Sequence, residues 1–463
     1  MSTIAAIATA TGAGGIGIIR MSGEKCFEVL KKIFKPINSN TDIDNVKGYT
    51  MKYGYIINPN TNEKIDEVLV SFFRAPKSYT AENMCEINSH GGIIVERKIL
   101  EQCLQNGADL AEPGEFTKRA FLNGRIDLSQ AESVIDIINS KTEKEQIASF
   151  NQLQGKLSNE ISNIRSELLD LMSDIEASID YPEYDIEETT NEKAIKVLNS
   201  VKQKLEKLEE SFENGKILKE GIKTVIVGKP NAGKSSLLNN ILNEERAIVS
   251  DYAGTTRDTI EEFINIKGIP LKIIDTAGIR ETDNYVEKIG VEKAIKLIEE
   301  ADLIIAIFDS SKKLDEEDYN LLDKIKNRKC IILLNKCDLS SQNNETISYM
   351  SKLNKNVIMA SMKTKEGIEE LYNLISDMFK NNEIDYNDEI IVTNIRHKNI
   401  IHRAIENITG TTNRIEQNIP IDVISVYIKE VLENLAEITG DNVSEDIINN
   451  IFAKFCLGKW HEI

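Results

Sequence analysis

The chain has 463 residues, of which 41% are hydrophobic and 28% charged, as is usual for a globular protein. At roughly 150 residues per domain, this length predicts about three domains. The 56 Lys and Arg against 75 Asp and Glu give a net charge of −19. That charge excludes a general nucleic-acid coat protein, because phosphate binding depends on clustered cations, but it leaves room for RNA at a local basic patch or through a basic partner.

Neither a membrane anchor nor a metal-binding cysteine pattern is expected. No apolar run reaches the length of about 18 residues that a membrane span needs. The first twenty residues lack the basic start of a secretory signal. The six cysteines are scattered without a CxxC pair, which indicates reduced thiols, a cytoplasmic location and no zinc site.

The first half of the chain contains two regions with different residue patterns. Residues 1–118 mix the β-rich runs Ile16–Ile19 and Glu67–Phe73 with glycine turns and two helical stretches, which predicts a small α+β domain. Residues 119–215 are helical, and Tyr181-Pro182 followed by acidic residues predicts a helix end and a solvated loop. One apolar helix face is expected from Leu153, Leu157, Ile161, Ile164, Leu168, Leu171 and Ile175.

The second half alternates short apolar strands with amphipathic helices over residues 216–380, the pattern of a parallel sheet with crossover helices. The predicted strands are Thr224–Val227, Leu271–Ile274, Leu303–Phe308, Ile331–Leu334 and Val357–Met359. Residues 381–463 are helical again, with an apolar face at Ile421, Ile424, Ile428, Leu432, Leu435 and Ile438. The fold class expected is therefore a helical domain with an α/β domain inserted in it, preceded by the small α+β domain.

A phosphate-binding loop opens the α/β region. Gly228–Ser235 reads GKPNAGKS, a full match to GxxxxGK[ST], after a strand and before the helical run from Ser236. Backbone N–H groups of such a loop surround phosphate oxygens at a helix N-terminus. Lys234 is expected to reach the β- and γ-phosphates and Ser235 to bind Mg²⁺. The other nucleotide contacts expected here are Asn231, Ala232, Gly233 and Ser236.

Three later segments predict that the nucleotide is GTP or GDP. The run Asp275, Thr276, Ala277, Gly278 follows a strand, where an Asp holds a magnesium-bound water and a Gly N–H senses the γ-phosphate. The run Asn335, Lys336, Cys337, Asp338 also ends a strand, and the Asp338 carboxylate can accept from both the N1–H and the amine of guanine. Ser361 begins Ser-Met-Lys where similar GTPases have Ser-Ala-Lys, whose guanine contact uses the backbone. The set resembles the translation-factor-like GTPases.

The catalytic group is not the usual one. Ile279 stands where Ras-like enzymes carry a water-positioning Gln, and no arginine finger is evident. Loop 250–258 together with Asn231 resembles the potassium-dependent branch of GTPases. That resemblance implies K⁺ ligation by Asn231, Ser250, Thr255 and the Tyr252 backbone, Mg²⁺ ligation by Thr256, and water orientation by Glu287, for which an exposed helix-cap role is the alternative. The loop contacts implied for the nucleotide are Ser250, Asp251, Tyr252, Ala253, Gly254, Thr255 and Thr256.

The flanks resemble one family of GTPases over the whole chain. Residues 4–23, 78–92 and 113–132 and the terminal run Cys456-Leu-Gly-Lys459 are similar, in order, to segments of the MnmE (TrmE) family of tRNA-modifying GTPases. The resemblance implies a homodimer through the N-terminal domain, with 5,10-methylene- or 5-formyl-tetrahydrofolate at that interface. It also implies a heterotetramer with the flavoprotein MnmG that adds a (carboxymethyl)aminomethyl group to carbon 5 of the wobble uridine of certain tRNAs.

The same resemblance implies folate contacts from Arg20, Glu86, Arg125 and Lys459. A pterin presents an amine and a ring N–H side by side, which one carboxylate can accept, and the folate tail carboxylates need cationic partners. Cys456 is a candidate nucleophile for carbon 6 of uracil or a proton-transfer group, since a nearby ammonium favours the thiolate. Its alternative role is that of a small buried hydrophobe.

Two other functions remain open from the residues alone. A GTP-switched ribosome-assembly factor needs an RNA-binding module such as a KH domain or a second GTPase domain, and the sequence after residue 380 has neither. A regulatory GTPase without folate chemistry is the other alternative. Binding of reduced folate by the purified protein separates both from the tRNA-modifying enzyme.

Overall fold

The computed structural model of the chain describes residues 1–10, 12–180, 187–244, 262–274, 296–339, 343–353, 356–379 and 389–455. These residues form two compact units. The first unit contains Met1–Ile135, Gln152–Leu169 and the described residues of 429–463, and the second contains Asp136–Asn151 and the described residues of 170–428. The domain boundaries expected near residues 118, 215 and 380 stay predictions.

A seven-stranded sheet forms the body of the first unit. Its strands are β1 (Ile4–Ile7), β2 (Gly17–Ser22), β3 (Phe34–Pro36), β4 (Thr50–Ile57), β5 (Lys64–Phe73), β6 (Met84–Ser89) and β7 (Asp109–Leu110). The spatial order is β3-β4-β5-β6-β2-β1-β7. Neighbours run antiparallel except β1 and β7, which are parallel.

One face of this sheet is buried, and along β5 the opposite face is exposed. In β5, Val68, Val70 and Phe72 are buried while Leu69 between them is exposed, which is the two-residue period of a strand with one wet face. The buried face packs against α1 (Cys26–Ile33) and α2 (Ile93–Gln105). The expected strand at Ile16–Ile19 begins one residue later, at Gly17, because Ile16 is 66% exposed in the preceding loop.

The helices that follow the first sheet in the chain divide the predicted apolar face at one point, which the hydrophobic spacing did not indicate. Its helices are α3 (Glu115–Leu122), α4 (Leu128–Asn139), α5 (Glu143–Leu153), α6 (Lys156–Asp180) and α7 (Glu187–Glu220). The expected apolar face from Leu157 to Ile175 lies on α6 and is buried. Leu153, assigned to the same face, instead ends α5, because the chain turns at Gly155 with a φ of 85°.

A six-stranded sheet forms the core of the second unit. Its strands are β8 (Ile222–Val227), β9 (Glu262–Ile266), β10 (Ile269–Ile273), β11 (Leu303–Asp309), β12 (Cys330–Asn335) and β13 (Asn356–Met359), in the order β13-β12-β11-β8-β10-β9. All five strands expected from the sequence are present and parallel. The additional strand β9 pairs antiparallel with β10. It escaped prediction because only Ile264 and Ile266 in it are buried.

Both faces of the second sheet are covered, which explains why its strands read as continuous apolar runs. Along β11, Ile305 and Ile307 belong to one buried cluster and Ile304 and Ala306 to another on the opposite face. The helices of this part are α8 (Lys234–Glu244), α9 (Glu316–Ile325), α10 (Asn344–Ser351) and α11 (Ile368–Phe379).

Three helices follow, α12 (Ile395–Glu416), α13 (Ile421–Thr439) and α14 (Glu445–Phe452). The apolar face expected on α13 is confirmed, because Ile424, Ile428, Leu435 and Ile438 are 0% exposed. α12 packs along α7 within the second unit. Among the described helices, none is both long enough and apolar enough to cross a membrane.

Candidate functional site

The phosphate-binding motif forms the turn between β8 and α8. Gly228, Asn231 and Gly233 have φ values of 149°, 61° and 115°. A Cβ at Gly228 would come within 2.4 Å of the Ile307 carbonyl oxygen, and one at Gly233 within 2.1 Å of the Asn335 side-chain nitrogen. Glycine is therefore required at both positions by the backbone conformation and by the packing.

Lys234 lies across the mouth of this loop. Its Nζ donates to the carbonyl oxygens of Gly228 at 2.7 Å and Lys229 at 2.9 Å. Burial lowers the pKa of Lys234 from its usual value, a cost that phosphate oxygens in the loop would offset. Ser235 is exposed in the first turn of α8 and carries a hydroxyl oxygen, a ligand type that Mg²⁺ accepts. The chemistry of the loop thus fits a magnesium-bound nucleotide.

The guanine motif at the end of β12 is tied to the phosphate loop. Asn335 is 3% exposed, and its Nδ2 donates to the Ala232 carbonyl oxygen at 2.7 Å. Its Oδ1 accepts from the backbone N–H groups of Lys336 at 2.8 Å and Met362 at 3.0 Å. Asn335 therefore spans two loops, and a side chain of this geometry fixes the distance between them.

Asp338, the residue expected to read the guanine edge, is exposed at this site. Ser361 Oγ donates to its Oδ1 at 2.7 Å, which fixes the orientation of the carboxylate. The structure thus brings together the base residues that sequence motifs predict from two separate segments. Sequence reasoning missed the role of the Met362 backbone N–H, which supports Asn335. The signal was present, because position 362 follows the motif residue Ser361.

Several predicted residues lie outside the described residues. They are Ser250, Asp251, Tyr252, Ala253, Gly254, Thr255, Thr256, Asp275, Thr276, Ala277, Gly278, Glu287, Cys456 and Lys459. Of the four expected K⁺ ligands, Asn231 is the one that the structure describes, and it is exposed in the phosphate loop.

A second site is an open pocket of about 420 Å³ on the first unit. This volume lies within the roughly 300–1,000 Å³ of small-molecule sites. The lining includes both Glu86 and Arg125, two of the residues expected to contact folate, although β6 and the segment after α3 are far apart in the chain. The whole lining consists of Tyr49, Phe73, Pro76, Lys77, Ser78, Tyr79, Met84, Glu86 and Arg125.

Arg20, the third expected folate residue, faces Glu86 across β2 and β6. Its Nε and Nη2 lie 2.9 Å and 2.8 Å from Glu86 Oε1, and both side chains remain partly exposed. The Arg20 guanidinium carbon is 5.4 Å from the centre of the Tyr79 ring and that of Arg125 is 4.9 Å from the same ring. The two guanidinium groups therefore lie near the same aromatic ring, and one of them is paired with Glu86.

Tyr79 was not singled out from the sequence, although it stands in the segment 78–92 that carries the family resemblance. Its hydroxyl forms a 2.9 Å hydrogen bond with Thr117 Oγ1 of α3. Arg119 of the same helix is 3% exposed and donates to Glu82 at 3.2 Å. The loop that forms this wall of the pocket is thus held by α3 at two points.

The start of α3 also contacts the C-terminal segment. Gly114 caps α3 with a φ of 66°, and a Cβ there would lie 2.8 Å from the Cβ of Phe455. Phe455 is the last described residue, 7% exposed, and its ring centre is 5.1 Å from that of Phe452. The residue that precedes the Cys456–Lys459 signature is therefore packed on the helix that supports the pocket wall.

Comparison with known proteins assigns the family. Residues 3–125 match the family model described as the GTP-binding protein TrmE N-terminus, and residues 128–456 match that of the MnmE helical domain. The chain is 51% identical over 459 residues to the tRNA modification GTPase MnmE of Acetivibrio thermocellus, with 99% of each chain covered. The chain belongs to the MnmE family.

Two further relatives extend this similarity. The tRNA modification GTPase MnmE of Finegoldia magna is 50% identical over 458 residues, with 98% of this chain and 99% of that one covered. The protein of the same name from Clostridioides difficile is 50% identical over 458 residues, with 99% of each covered. The assignment confirms the predicted architecture of an α+β N-terminal domain followed by a helical domain with an inserted P-loop α/β domain. It also confirms the predicted enzyme class, a GTPase.

Proposed function

We propose that this GTPase, with the flavoprotein MnmG in a heterotetramer, adds a (carboxymethyl)aminomethyl group to carbon 5 of the wobble uridine of certain tRNAs in the cytoplasm. The names of the relatives support a role in tRNA modification. The observation that carries the folate part is the pocket lined by Tyr79, Glu86 and Arg125, together with the ion pair that Arg20 forms with Glu86.

The nucleotide site performs the hydrolytic half of the proposal. Lys234 neutralises charge on the β- and γ-phosphates, Ser235 holds Mg²⁺, and Asp338 selects guanine. Proposed partners in the segments outside the described residues are Thr256 for Mg²⁺, Asp275 for a magnesium-bound water and Glu287 for the attacking water. Asn231, Ser250, Thr255 and the Tyr252 backbone would hold K⁺, which would supply the positive charge that an arginine finger supplies in other GTPases.

The pocket suits a tetrahydrofolate by the chemistry of its lining. Glu86 offers one carboxylate to the adjacent amine and N–H of the pterin, and Tyr79 offers an aromatic face. Arg125 and Lys77 offer cations to the tail carboxylates, with Lys459 as a further proposed contact. When bound as the 5,10-methylene or 5-formyl form, the folate supplies the one-carbon unit.

The proposal includes a homodimer through the N-terminal domain. The sheet face opposite α1 and α2 carries large apolar side chains at the edge of the pocket, since Tyr49, Met51, Tyr53 and Leu69 are 69%, 54%, 43% and 44% exposed. Tyr53 and Leu69 lie opposite each other on neighbouring strands, so these side chains form a continuous strip. A second copy of the chain would remove that strip from water.

Folate binding by the purified full-length protein tests the proposal most directly. Calorimetric titration with reduced folate is expected to give saturable binding, and Arg125→Ala is expected to weaken it. The matched control is Arg165→Ala, since Arg165 pairs with Asp441 and does not line the pocket. Absence of binding by the unaltered protein would contradict the folate part.

Mass spectrometry of wobble nucleosides in cells that lack the protein tests the tRNA part. The modified wobble uridine is expected to disappear and to return when the unaltered chain is supplied. A Cys456→Ser chain is expected to hydrolyse GTP without restoring the modification. Full restoration by that variant would remove Cys456 from the proposed chemistry.

A further inference from the structure

One acidic segment contacts lysines from both nucleotide-binding motifs. This acidic segment, Asp309–Asp318, runs from the end of β11 to the first turn of α9. It lies in neither motif, and no sequence pattern pointed to it. Its carboxylates bind Lys229 of the phosphate loop and Lys336 of the guanine motif.

Lys229 follows Gly228 at a position that the phosphate motif leaves unspecified. Its Nζ lies 2.8 Å from Asp318 Oδ2 and also forms an ion pair with Asp315. Its backbone carbonyl oxygen accepts from Lys234 Nζ at 2.9 Å. The acidic segment therefore holds the residue whose backbone binds the phosphate-contacting lysine.

Lys336 is held in the same way on the base side. Its Nζ lies 2.7 Å from Asp309 Oδ2, and the Asp309 side chain is 11% exposed. The other Asp309 oxygen accepts from the N–H and the hydroxyl of Ser311 at 3.0 Å and 2.6 Å. Lys336 has a φ of 70°, a conformation that a residue with a side chain keeps only when its surroundings fix it.

Asp309 and Lys229 both keep their charges at neutral pH. Burial opposes ionisation of Asp309, but hydrogen bonds from Lys336 and Ser311 outweigh it and hold its pKa below the usual value. Burial likewise opposes the charge on Lys229, but hydrogen bonds to Asp315 and Asp318 leave its pKa raised. Both contacts are therefore charge-assisted hydrogen bonds, the stronger class.

We infer that the acidic segment is a positioning element for guanine nucleotides, which holds the phosphate loop through Lys229 and the guanine motif through Lys336. A nucleotide contacts both loops at once, so fixing their separation before binding lowers the cost of ordering them. The inference rests on the GTP site of the proposed function and adds residues that do not themselves touch the nucleotide.

The base-side contact is tested by Asp309→Asn in the full-length protein. Loss of the charge is expected to raise the Kd for GDP about tenfold, the effect of losing one charge-assisted hydrogen bond. The preference for GDP over IDP is expected to fall about threefold. IDP lacks the amine that Asp338 accepts from, and a loosened guanine motif binds that amine less strongly. General destabilisation would not change that preference.

The phosphate-side contact is tested by Asp315→Asn. Asparagine can still cap α9 by accepting hydrogen bonds from the backbone N–H groups of Glu317 and Asp318, but the substitution removes one negative charge beside Lys229. The Kd for GDP is expected to rise about threefold, since Asp318 remains and Asp315 is well exposed. The preference for GDP over IDP is expected to stay unchanged, because the guanine motif is not touched.

Lys313→Ala supplies the matched control within the acidic segment. Lys313 pairs with Glu345 at the surface, where both side chains are more than two-thirds exposed, and its loss is expected to leave both Kd values unchanged. Thermal melting shows whether each variant folds. If Asp309→Asn does not fold, Asp309→Glu is the second variant, and it is expected to raise the Kd for GDP about threefold because it misplaces the carboxylate.

The outcomes separate this inference from the proposed function. If the Asp309 and Asp315 variants bind GDP and IDP with the same Kd values as the unaltered protein, the positioning role is refuted. An unaltered protein that binds no guanine nucleotide would instead contradict the nucleotide site itself.

Discussion

The two sheets of this protein solve the problem of site construction differently. The six-stranded sheet is parallel across five strands and covered on both faces, and its site lies where the strands β8 and β12 end. The seven-stranded sheet is mostly antiparallel, α1 and α2 pack against one face, and its pocket lies over the opposite face. In the first case a strand end and a local motif define the site, whereas in the second the site exists only once distant strands pair.

This difference makes the sites separable by mutation. Nucleotide contacts depend on short motifs whose backbone geometry is local, such as the loop between β8 and α8. Pocket contacts depend on the register that sets Arg20 opposite Glu86 and on α3. A variant in one site should leave the ligand of the other site bound, and the following predictions test this in order of expected effect.

Lys234→Ala is expected to have the largest effect. Removal of the ammonium that spans the phosphate loop should lower GTP hydrolysis by about a hundredfold or more, the usual cost of losing a charge that stabilises the transition state. Reduced-folate affinity should be unchanged. Steady-state phosphate release measures GTP hydrolysis and calorimetry measures folate affinity. The control is Lys223→Ala, since Lys223 is an exposed residue of β8. Loss of folate binding in Lys234→Ala would refute separability.

Glu86→Gln is the reciprocal change. It removes the carboxylate charge expected to bind the pterin and breaks the ion pair with Arg20, so reduced-folate affinity should fall about ten- to thirtyfold. GTP hydrolysis should match the unaltered protein. Glu63→Gln, in the loop before β5, serves as the control. Unchanged folate affinity would remove Glu86 from the pocket chemistry.

Replacement of K⁺ by Na⁺ is expected to have a smaller, severalfold effect, which is confined to GTP turnover at the nucleotide site. GTP turnover is expected to be faster in KCl than in NaCl at equal ionic strength, because the smaller ion fits the loop poorly. Asn231→Ala should reduce that ratio, whereas Asn239→Ala, exposed on α8, should preserve it. Equal rates in both salts for the unaltered protein would eliminate the potassium site.

The last prediction, Glu145→Gln, concerns stability and not the affinity for either ligand, and it asks to which unit α5 belongs. Burial raises the pKa of Glu145 to about 7 from 4.5. The folded state therefore loses stability as the pH rises from 4.5 to about 7 and does not regain it above, since the unfolded carboxyl ionises first. Glutamine stays neutral, so at pH 8 the variant should be more stable by about 1–2 kcal/mol, with little difference at pH 5.

Thermal unfolding with and without GDP measures this effect. Asp136–Asn151 groups with the second unit, so the transition that GDP raises should be the one that Glu145→Gln shifts. The exposed Glu143 of the same helix provides the control variant Glu143→Gln. A shift confined to the transition that GDP does not affect would place α5 with the first unit.

Prediction from sequence succeeded where the physical signal was local. The five strands of the second sheet were predicted because burial on both faces forces continuous apolar runs, and α13 was predicted because its apolar residues recur every three or four positions. The break at Gly155 was missed, since apolar spacing continues across it. Strand β9 was missed because too few of its side chains are buried to give a pattern.

The sequence by itself determined the phosphate loop, the guanine motif and the family, because each is written in short runs of adjacent residues whose backbone chemistry acts locally. Only the tertiary structure decided that Arg20 and Arg125 both lie near the Tyr79 ring, and that Asp309 and Asp318 hold Lys336 and Lys229. Charged groups far apart in the chain carry no record of their partners, since an ion pair depends on distance in space and on burial, and both arise only when the strands and helices pack.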